Sequence, residues 1–344
     1  MANGALGAPR VSPPQPVEKS EVAVMPKRGV KPLIKTGFSH IADRIFYFAM
    51  LACGVCVLAL VGLIVYQLIT RSSLSWHAFG WSFFFRSEWD PVNEQFGAFP
   101  FVYGTVVSSI LALILAVPLA IGVAVFITEM CPVWLKGPLA FTTELLAAIP
   151  SVIYGLWAIF VLGPLLRQYL EPWLMRYLGW TGLFDGPPYG IGMLAAGIIL
   201  AIMVVPIISS ITREVMTAVP QQQREAVLAL GATRWEMIRT GVLRNARAGI
   251  LGGVILGLGR ALGETMAVTM VIGNRPEISK SLLAPGYTMA SVIANEFSEA
   301  TTDRYLSALV EVGLALFIVT IIVNILAQIL VWTVTRGTPA RANG

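Results

Sequence analysis

The chain has 344 residues, of which 56% are hydrophobic and only 12% are charged, whereas an ordinary soluble domain is about one quarter charged. Such a composition cannot cover a water-soluble surface, which argues against a globular soluble enzyme. The net charge of +5 is modest, and the basic residues lie in loops instead of forming one stripe, which argues against nucleic-acid binding.

The apolar residues fall into six long blocks, which predict a single all-α membrane domain over residues 41–336. Each block is long enough to cross about 30 Å of hydrocarbon as a helix of roughly 20 residues. Prolines inside three blocks, Pro118, Pro150 and Pro206, predict kinks. The predicted spans are 45–69, 101–127, 138–162, 191–211, 249–273 and 305–334.

Residues 1–40 are rich in Pro, Gly, Ser and Lys and have little apolar periodicity, which predicts a disordered tail. The apolar block that follows is too long for the h-region of a signal peptide. Residues 337–344 form a second short tail. Lys and Arg are concentrated in the first tail and in the fourth-to-fifth connection, so the positive-inside rule predicts that both termini face the cytoplasm.

The side chains that could bind a metal or act in catalysis are few. Cys53, Cys56 and Cys131 have no second Cys or His pair at metal-ligand spacing, so we expect no metal site. His40 and His77 lie outside the predicted spans, and no nucleophile with a neighbouring base is recognisable. A membrane-embedded enzyme is therefore not expected, and we assign no catalytic residue.

Two connections on the outer side are acidic and aromatic, and two interpretations of their aromatic side chains stay open. Aromatic rings with a polar edge favour the lipid headgroup zone, so they could form an interfacial belt. They could also form a docking surface for an external partner. The aromatic residues are Trp76, Phe79, Trp81, Phe83, Phe84, Phe85 and Trp89 in the first connection and Tyr169, Trp173, Tyr177 and Trp180 in the second.

The connection between the fourth and fifth predicted spans, residues 213–248, is polar and long enough for two short helices. Pro220 suits a helix start, and Gly231 permits the left-handed backbone that ends a helix. Thr233 followed by Glu236 is a capping-box pattern that opens a second helix. The sequence therefore predicts a helix, a glycine turn and a helix against the inner membrane face, presenting a small apolar knob surrounded by charges.

The residues Glu225, Ala226 and Gly231 of this connection resemble the EAA loop of ABC importer permeases, which seats in a cleft of the ATPase subunit. The family pattern continues as Ile-x-Leu-Pro, where this chain keeps Leu243 but has Gly241 and Arg244 at the other two positions. The alternative is an amphipathic loop that lies on lipid. The chain contains no G-x-x-x-x-G-K-[ST] phosphate loop, so we expect energy to come from another subunit.

The fifth predicted span contains Arg260 and Glu264 among apolar residues. A charge at membrane depth costs at least about 2.5 to 3.5 kcal/mol on insertion scales, so both residues need a reason to be there. Their spacing of four predicts that they share a helix face and can pair. Gly249, Gly253 and Gly257 form a small-x3-small ladder on the same stripe, which predicts close helix packing.

This shared face is expected to point toward a subunit interface or a pore, and two interpretations of its charges stay open. The pair could be a structural bridge that fixes helix packing. Alternatively, Arg260 binds phosphate oxygens with its planar guanidinium while Glu264 orients and partly neutralises it. Glu144 in the third span and Glu311 in the sixth are further intramembrane acids that could partner Arg260 or lie near an interface.

Three stretches resemble the PstC family of phosphate permease subunits, over a match of about 45–336. They are the runs Gly257-Leu-Gly-Arg-Ala-Leu-Gly-Glu-Thr-Met-Ala-Val268 with Val271-Ile-Gly-Asn274, Glu144-Leu-Leu-Ala-Ala-Ile-Pro-Ser-Val-Ile-Tyr-Gly155, and Trp89-Asp-Pro91 with Phe96-Gly-Ala98.

The resemblance implies a type I ABC importer permease fold in a bacterial plasma membrane. It implies a PstA-like second permease subunit, a PstB-like ATPase dimer below, and a PstS-like phosphate-binding protein on the outer side. ATP and Mg²⁺ would be used by the ATPase, and this chain would bind no cofactor. ATP would close the ATPase dimer, pull the coupling helices together and open the pore outward.

Two other transport functions remain as alternatives. An ABC permease for sulfate or molybdate would keep the coupling loop but would not need the fifth-span signature. An ion-coupled secondary carrier would explain the buried charges without an ATPase, but it leaves the coupling loop unexplained.

Overall fold

The computed structural model describes the backbone of residues 37–336 and the side chains of residues 42–333. Within this part the chain is helical, with two isolated β-bridges and no strand. The α-helices are α1 Gly37–Arg71, α2 Ser73–Phe79, α3 Phe99–Val125, α4 Val133–Ala148, α5 Ser151–Trp157, α6 Gly163–Leu165, α7 Glu171–Leu178, α8 Met193–Thr217, α9 Gln221–Ala229, α10 Arg234–Glu236, α11 Arg244–Gly263, α12 Met266–Val271, α13 Met289–Glu296 and α14 Asp303–Arg336.

Shorter helical turns extend several of these helices. The 3₁₀ turns are Gly80–Phe84 and Gly179–Thr181, and the π turns are Phe126–Met130, Ala158–Leu162, Leu166–Leu170 and Met237–Leu243. The π turns continue their helices, so α5 to α7 form one continuous helix, and α10 and α11 form another.

The chain divides into two units, residues 1–60 and 61–344. In the first unit the structure describes the part of α1 that precedes Val61, and its side chains from Ala42 onward are exposed. The predicted tails lie outside the described residues, except that residues 37–40 belong to α1 and not to a tail.

Among residues 37–336, six helices are long and apolar enough to cross a membrane, which confirms the six-span, all-α prediction. The spans are Ala42–Arg71, Phe99–Met130, Ser151–Thr181, Met193–Thr217, Arg234–Gly263 and Asp303–Thr333.

The third predicted span, 138–162, is wrong as a single helix. Helix α4 ends at Ala148, Ile149 has an extended backbone (φ −66°, ψ 129°), and α5 begins at Ser151. Pro150 causes the break, because proline lacks an N–H and disfavours the helical conformation of the residue before it. The helix that is long and apolar enough to be the third span is therefore Ser151–Thr181, which begins after this break.

The fifth predicted span, 249–273, is also displaced. Helix α11 ends at Gly263, Glu264 is extended (φ −70°, ψ 127°), and α12 starts at Met266. In the other direction the helix continues back to Arg234. By contrast, the prolines predicted to kink the second and fourth spans lie inside α3 and α8 without ending either helix.

Helix α8 is the centre of the second unit, with α3 and α11 packed along it. Alanines every four residues on α3 let the α8 backbone approach closely, because a methyl group fills little space between helices. These alanines, all fully buried, are Ala112, Ala116, Ala120 and Ala124. Ala124 belongs to an apolar cluster that joins the end of α3, the end of α8 and the start of α11, beside the polar connection between α8 and α11.

A second core, at the end opposite that connection, contains aromatic side chains from the connection between the first and second spans. Phe83 and Phe96 are fully buried, and Trp89 packs at 4.8 Å from the ring of Phe101. Trp81 and Phe85 remain 73% and 76% exposed. Neither a lipid belt nor a docking surface accounts for the buried members, which form the hydrophobic interior of this connection.

Candidate functional site

The polar connection folds as the sequence predicts. Pro220 precedes α9, and Gly231 has a φ of +84° that closes it, a conformation in which a β-carbon is strained. Thr233 and Glu236 form both hydrogen bonds of the capping box, with the Glu236 carboxylate accepting from the Thr233 backbone N–H at 2.8 Å. These local contacts fix the turn between α9 and α10.

The tip of this turn projects into solvent. Leu230 is 88% exposed and Trp235 is 63% exposed, and the charged and small residues beside them are exposed as well. We call this surface the loop knob, and its members are Glu225, Ala226, Leu230, Gly231 and Trp235. A compact helix end with small residues can seat closely in a groove of a partner protein.

Leu243 lies on the opposite side of the connection and packs against a buried apolar cluster that includes Met216 and Ile238. Arg244 stands where the family pattern has proline, and the helix continues through it from the π turn into α11. Since no proline interrupts it, the loop knob is joined to the fifth span by one unbroken helix.

Arg260 and Glu264 do not form the predicted pair. Three salt bridges occur among residues 42–333, and none joins these two side chains. The helix ends between them, so the geometry that brings residues four apart together does not apply. Arg260 is exposed, and Glu264 is half-buried with Oε1 accepting from the Ala267 N–H at 3.4 Å.

The two helix breaks lie close together, because α5 packs against α12. Gly155 makes this approach possible, since a β-carbon there would stand 3.2 Å from Ala267 Cα and overlap Met270. Tyr154, one residue earlier, donates its hydroxyl to the Leu146 carbonyl at 2.8 Å and so spans the first break. Two interrupted helices side by side leave backbone groups outside the regular hydrogen-bond ladder, the arrangement used at the binding sites of membrane transporters.

Arg260 lies within electrostatic range of Tyr154. Arg260 also lies in the last turn before the second break, and its exposed guanidinium fork is available to an oxyanion. No described carboxylate neutralises it through a salt bridge.

Glu144 pairs with Arg213 and not with Arg260. The carboxylate Oε1 accepts from the Arg213 Nη2, which ties α4 to the last turns of α8. Both lie at an open cleft of about 670 Å³ that also includes Ser210 and Thr217. The sequence places Arg213 in a basic connection and gives no signal that its side chain pairs with a residue of α4.

The three glycines of the predicted ladder face α8. A β-carbon at Gly249 would stand 2.5 Å from Val215, and one at Gly257 would stand 2.6 Å from Val204. Gly253 faces Ile211 at 3.2 Å. The close packing is therefore made within this chain, which corrects the expectation that this part of the face meets another subunit.

Sequence reasoning missed the ion pair between Glu129 and Arg224, at 3.1 Å.

Glu311 is fully buried, and neither carboxylate oxygen has a hydrogen-bond partner within the described residues. No salt bridge joins Glu311 to Arg260 within the described residues, so it is not the partner that the sequence left open.

Comparison with known families gives one match over most of the chain. Residues 116–336 match the family described as binding-protein-dependent transport system inner membrane component.

Curated relatives match most of this chain. The phosphate transport system permease protein PstC of Mesorhizobium japonicum is 46% identical over 304 residues, covering 87% of this chain and 93% of the relative. The protein of the same name from Haemophilus influenzae is 45% identical over 279 residues, covering 80% and 88%.

Among solved structures, an inward-facing conformation of the MetNI methionine ABC transporter matches with a TM-score of 0.50 and 17% identity. The match covers 69% of this chain and 95% of that one. At this identity it shows the fold alone, that of an ABC importer permease.

Proposed function

The chain belongs to the family of binding-protein-dependent transport system inner membrane components and, within it, to the PstC phosphate permeases, and from this premise we propose that it is one of two channel-forming subunits of an ATP-driven phosphate importer. It is a multi-pass protein of the bacterial inner membrane. Phosphate would enter the cytoplasm by alternating access.

The observation that carries this proposal is the joint exposure of Arg260 and of the loop knob in one chain. Arg260 costs several kcal/mol at membrane depth unless it has a partner, and the described residues offer it no salt bridge. A phosphate ion presents pairs of oxygen acceptors that the planar guanidinium fork can bind in a bidentate arrangement.

The loop knob supports coupling to a separate ATPase. Glu225, Ala226 and Gly231 are exposed at its tip, and Leu243 anchors the returning helix in the apolar cluster behind it. We expect a PstB-like ATPase dimer, which uses ATP and Mg²⁺, to receive this tip. A PstA-like subunit would complete the pore, and a PstS-like protein would deliver phosphate to the opposite end.

The test is reconstitution of the complete complex in proteoliposomes, with uptake of labelled phosphate measured with and without ATP. We expect ATP-dependent uptake that excess sulfate or molybdate does not reduce. Competition by either anion would assign the permease to another oxyanion. Uptake driven by an ion gradient without an ATPase subunit would replace the proposal with a secondary carrier.

A further inference from the structure

Arg224 is the neighbour of Glu225 in the loop knob, but its side chain points the other way. Its Nε and Nη2 lie 3.3 Å and 3.1 Å from the same carboxylate oxygen of Glu129. Nη2 also donates to the Met216 carbonyl at 2.8 Å, and Nη1 donates to the Val219 carbonyl. The side chains of Arg224 and Glu129 are only 15% and 10% exposed.

These contacts join three elements through one guanidinium. Arg224 belongs to α9, and Glu129 belongs to the π turn that ends the second span. Met216 lies in the last turn of α8, and Val219 lies in the turn that follows. The last carbonyls of a helix lack partners within the helix and favour a cation, so the arginine completes the end of α8 as well as the ion pair.

An apolar cluster beneath the guanidinium joins the same elements. Val227 of α9 packs against it from one side, and its buried members include Val125 of α3 and Met216 of α8. Lys136 donates to the Thr128 carbonyl at 2.6 Å, which fixes the residue before Glu129. Lys136 therefore fixes the backbone beside Glu129, and Arg224 fixes the Glu129 carboxylate.

A separate contact ties α9 to the fifth span. Asn245 donates its side-chain amide to the Gln223 side-chain oxygen at 2.8 Å and to the Gly241 carbonyl at 2.7 Å. The unbroken helix from α10 to α11 already links the loop knob to that span. For the second and fourth spans, in contrast, the Arg224 guanidinium supplies the charged link within the described residues.

We propose that Arg224 is the positioning residue that transmits displacement of the loop knob to the second and fourth spans. This inference rests on the proposed function, because the displacement comes from an ATPase bound at the knob. Only an arginine can meet all of these acceptors, since its donors form a rigid planar fork and a lysine donates from a single point. Partial burial keeps water from replacing the contacts while the helix moves.

The experiment measures phosphate transported per ATP hydrolysed by the complete complex in proteoliposomes. In Arg224→Gln we expect the ATPase subunit to co-purify at wild-type yield and the transport ratio to fall at least about tenfold, because the Glu129 carboxylate loses its one salt-bridge partner among the described residues. Arg224→Lys should recover part of the ratio. Arg239→Gln is the matched control, since Arg239 is exposed on the following π turn and its substitution should leave the ratio unchanged.

Glu129→Gln provides a second, independent variant, because it removes the ion pair and leaves the two carbonyl contacts of Arg224 in place. We expect a smaller loss of the ratio, and the double variant with Arg224→Gln should lose no more than Arg224→Gln alone. A wild-type ratio in Arg224→Gln would overturn the inference. Failure of both variants to bind the ATPase would also overturn it, since Arg224 would then only fold the connection.

The wild-type complex separates this test from the proposed function. If it moves no phosphate, the proposed substrate is wrong, and the same ratio is measured for the anion that it does move. If the wild-type chain binds no ATPase, the proposed coupling is wrong before any variant is made.

Discussion

Arg260 stands in the last turn of α11, where the helix stops and the chain turns out of helical geometry. Its position explains why the side chain is exposed while Ala261 and Leu262, the next two residues, are buried. The exposed guanidinium makes no salt bridge within residues 42–333, so the fold does not depend on its charge. The charge is therefore available for a ligand.

We predict that Arg260→Gln abolishes phosphate uptake and leaves the complex assembled. Glutamine keeps much of the volume but removes the charge and the fork that bind an oxyanion. The measurement is labelled phosphate uptake normalised to complex yield, with Arg260→Lys expected to retain part of the uptake. Normal uptake in Arg260→Gln would remove this residue from the mechanism.

The sequence predicts which charged residues matter better than it predicts their partners. Arg260 and Glu264 are recognisable because a charge among apolar residues is costly. Their predicted pairing, however, assumed a continuous helix through both residues, and the helix ends before Glu264. The partners of Glu144 and Glu129 are 69 and 95 residues away along the chain. Only the packing of α4, α8 and α9 brings such residues together, and no local pattern encodes it.

At the scale of an element, the turn between α9 and α10 shows what a local sequence can determine. The proline, the positive-φ glycine and the capping box each act only on the residues next to them in sequence, so their effects do not depend on the rest of the fold. The break after Gly263 is different. Glycine and threonine are weak helix breakers in a membrane, where tertiary packing decides whether the helix continues.

Gly231→Trp should uncouple ATP hydrolysis from transport or prevent ATPase binding. The φ of +84° at this position disfavours any side chain by about 1–2 kcal/mol, and an indole would project from the knob into the partner's groove, since nothing lies within 4 Å of a β-carbon there. ATPase co-purification and the transport ratio measure the effect.

Gly231→Asn is the matched control, because asparagine tolerates a positive φ better than most residues and is small. It should retain most ATPase binding. Wild-type coupling in Gly231→Trp would count against the assignment of this turn as the coupling element.

Gly257→Ala should destabilise the chain although alanine favours a helix. The added methyl group would stand 2.6 Å from Val204 and 2.9 Å from Ile208, and such overpacking costs about 1–3 kcal/mol. Gly252→Ala, on the same helix with nothing within 4 Å, should be neutral or stabilising by up to about 1 kcal/mol. Thermal unfolding in detergent compares the two, and equal midpoints would contradict the packing of α11 on α8.

At the scale of the whole molecule, the number of spans and the helical class follow from the six long apolar blocks, because a helix of that length crosses the hydrocarbon and satisfies its backbone groups within one segment. The orientation of the chain remains a prediction from the distribution of Lys and Arg. It places the loop knob and both termini in the cytoplasm.

Single cysteines test this orientation in a variant that lacks the three native cysteines. Val92→Cys, at a position that is 90% exposed in the first outer connection, should react with a membrane-impermeant thiol reagent in intact cells. Arg239→Cys should react only after the membrane is opened. The reverse pattern would invert the topology and place the loop knob out of reach of an ATPase.

The carboxylate of Glu296 accepts from the Trp89 indole at 2.8 Å and from the Tyr305 hydroxyl at 2.6 Å, both through the same oxygen. These two hydrogen bonds join the connection between the first and second spans, α13 and the start of α14 to one another. Bending between these elements is therefore disfavoured, whereas the backbone leaves helical geometry at Ile149 and Glu264. Under the proposed alternating access, these two breaks are where we expect the chain to flex.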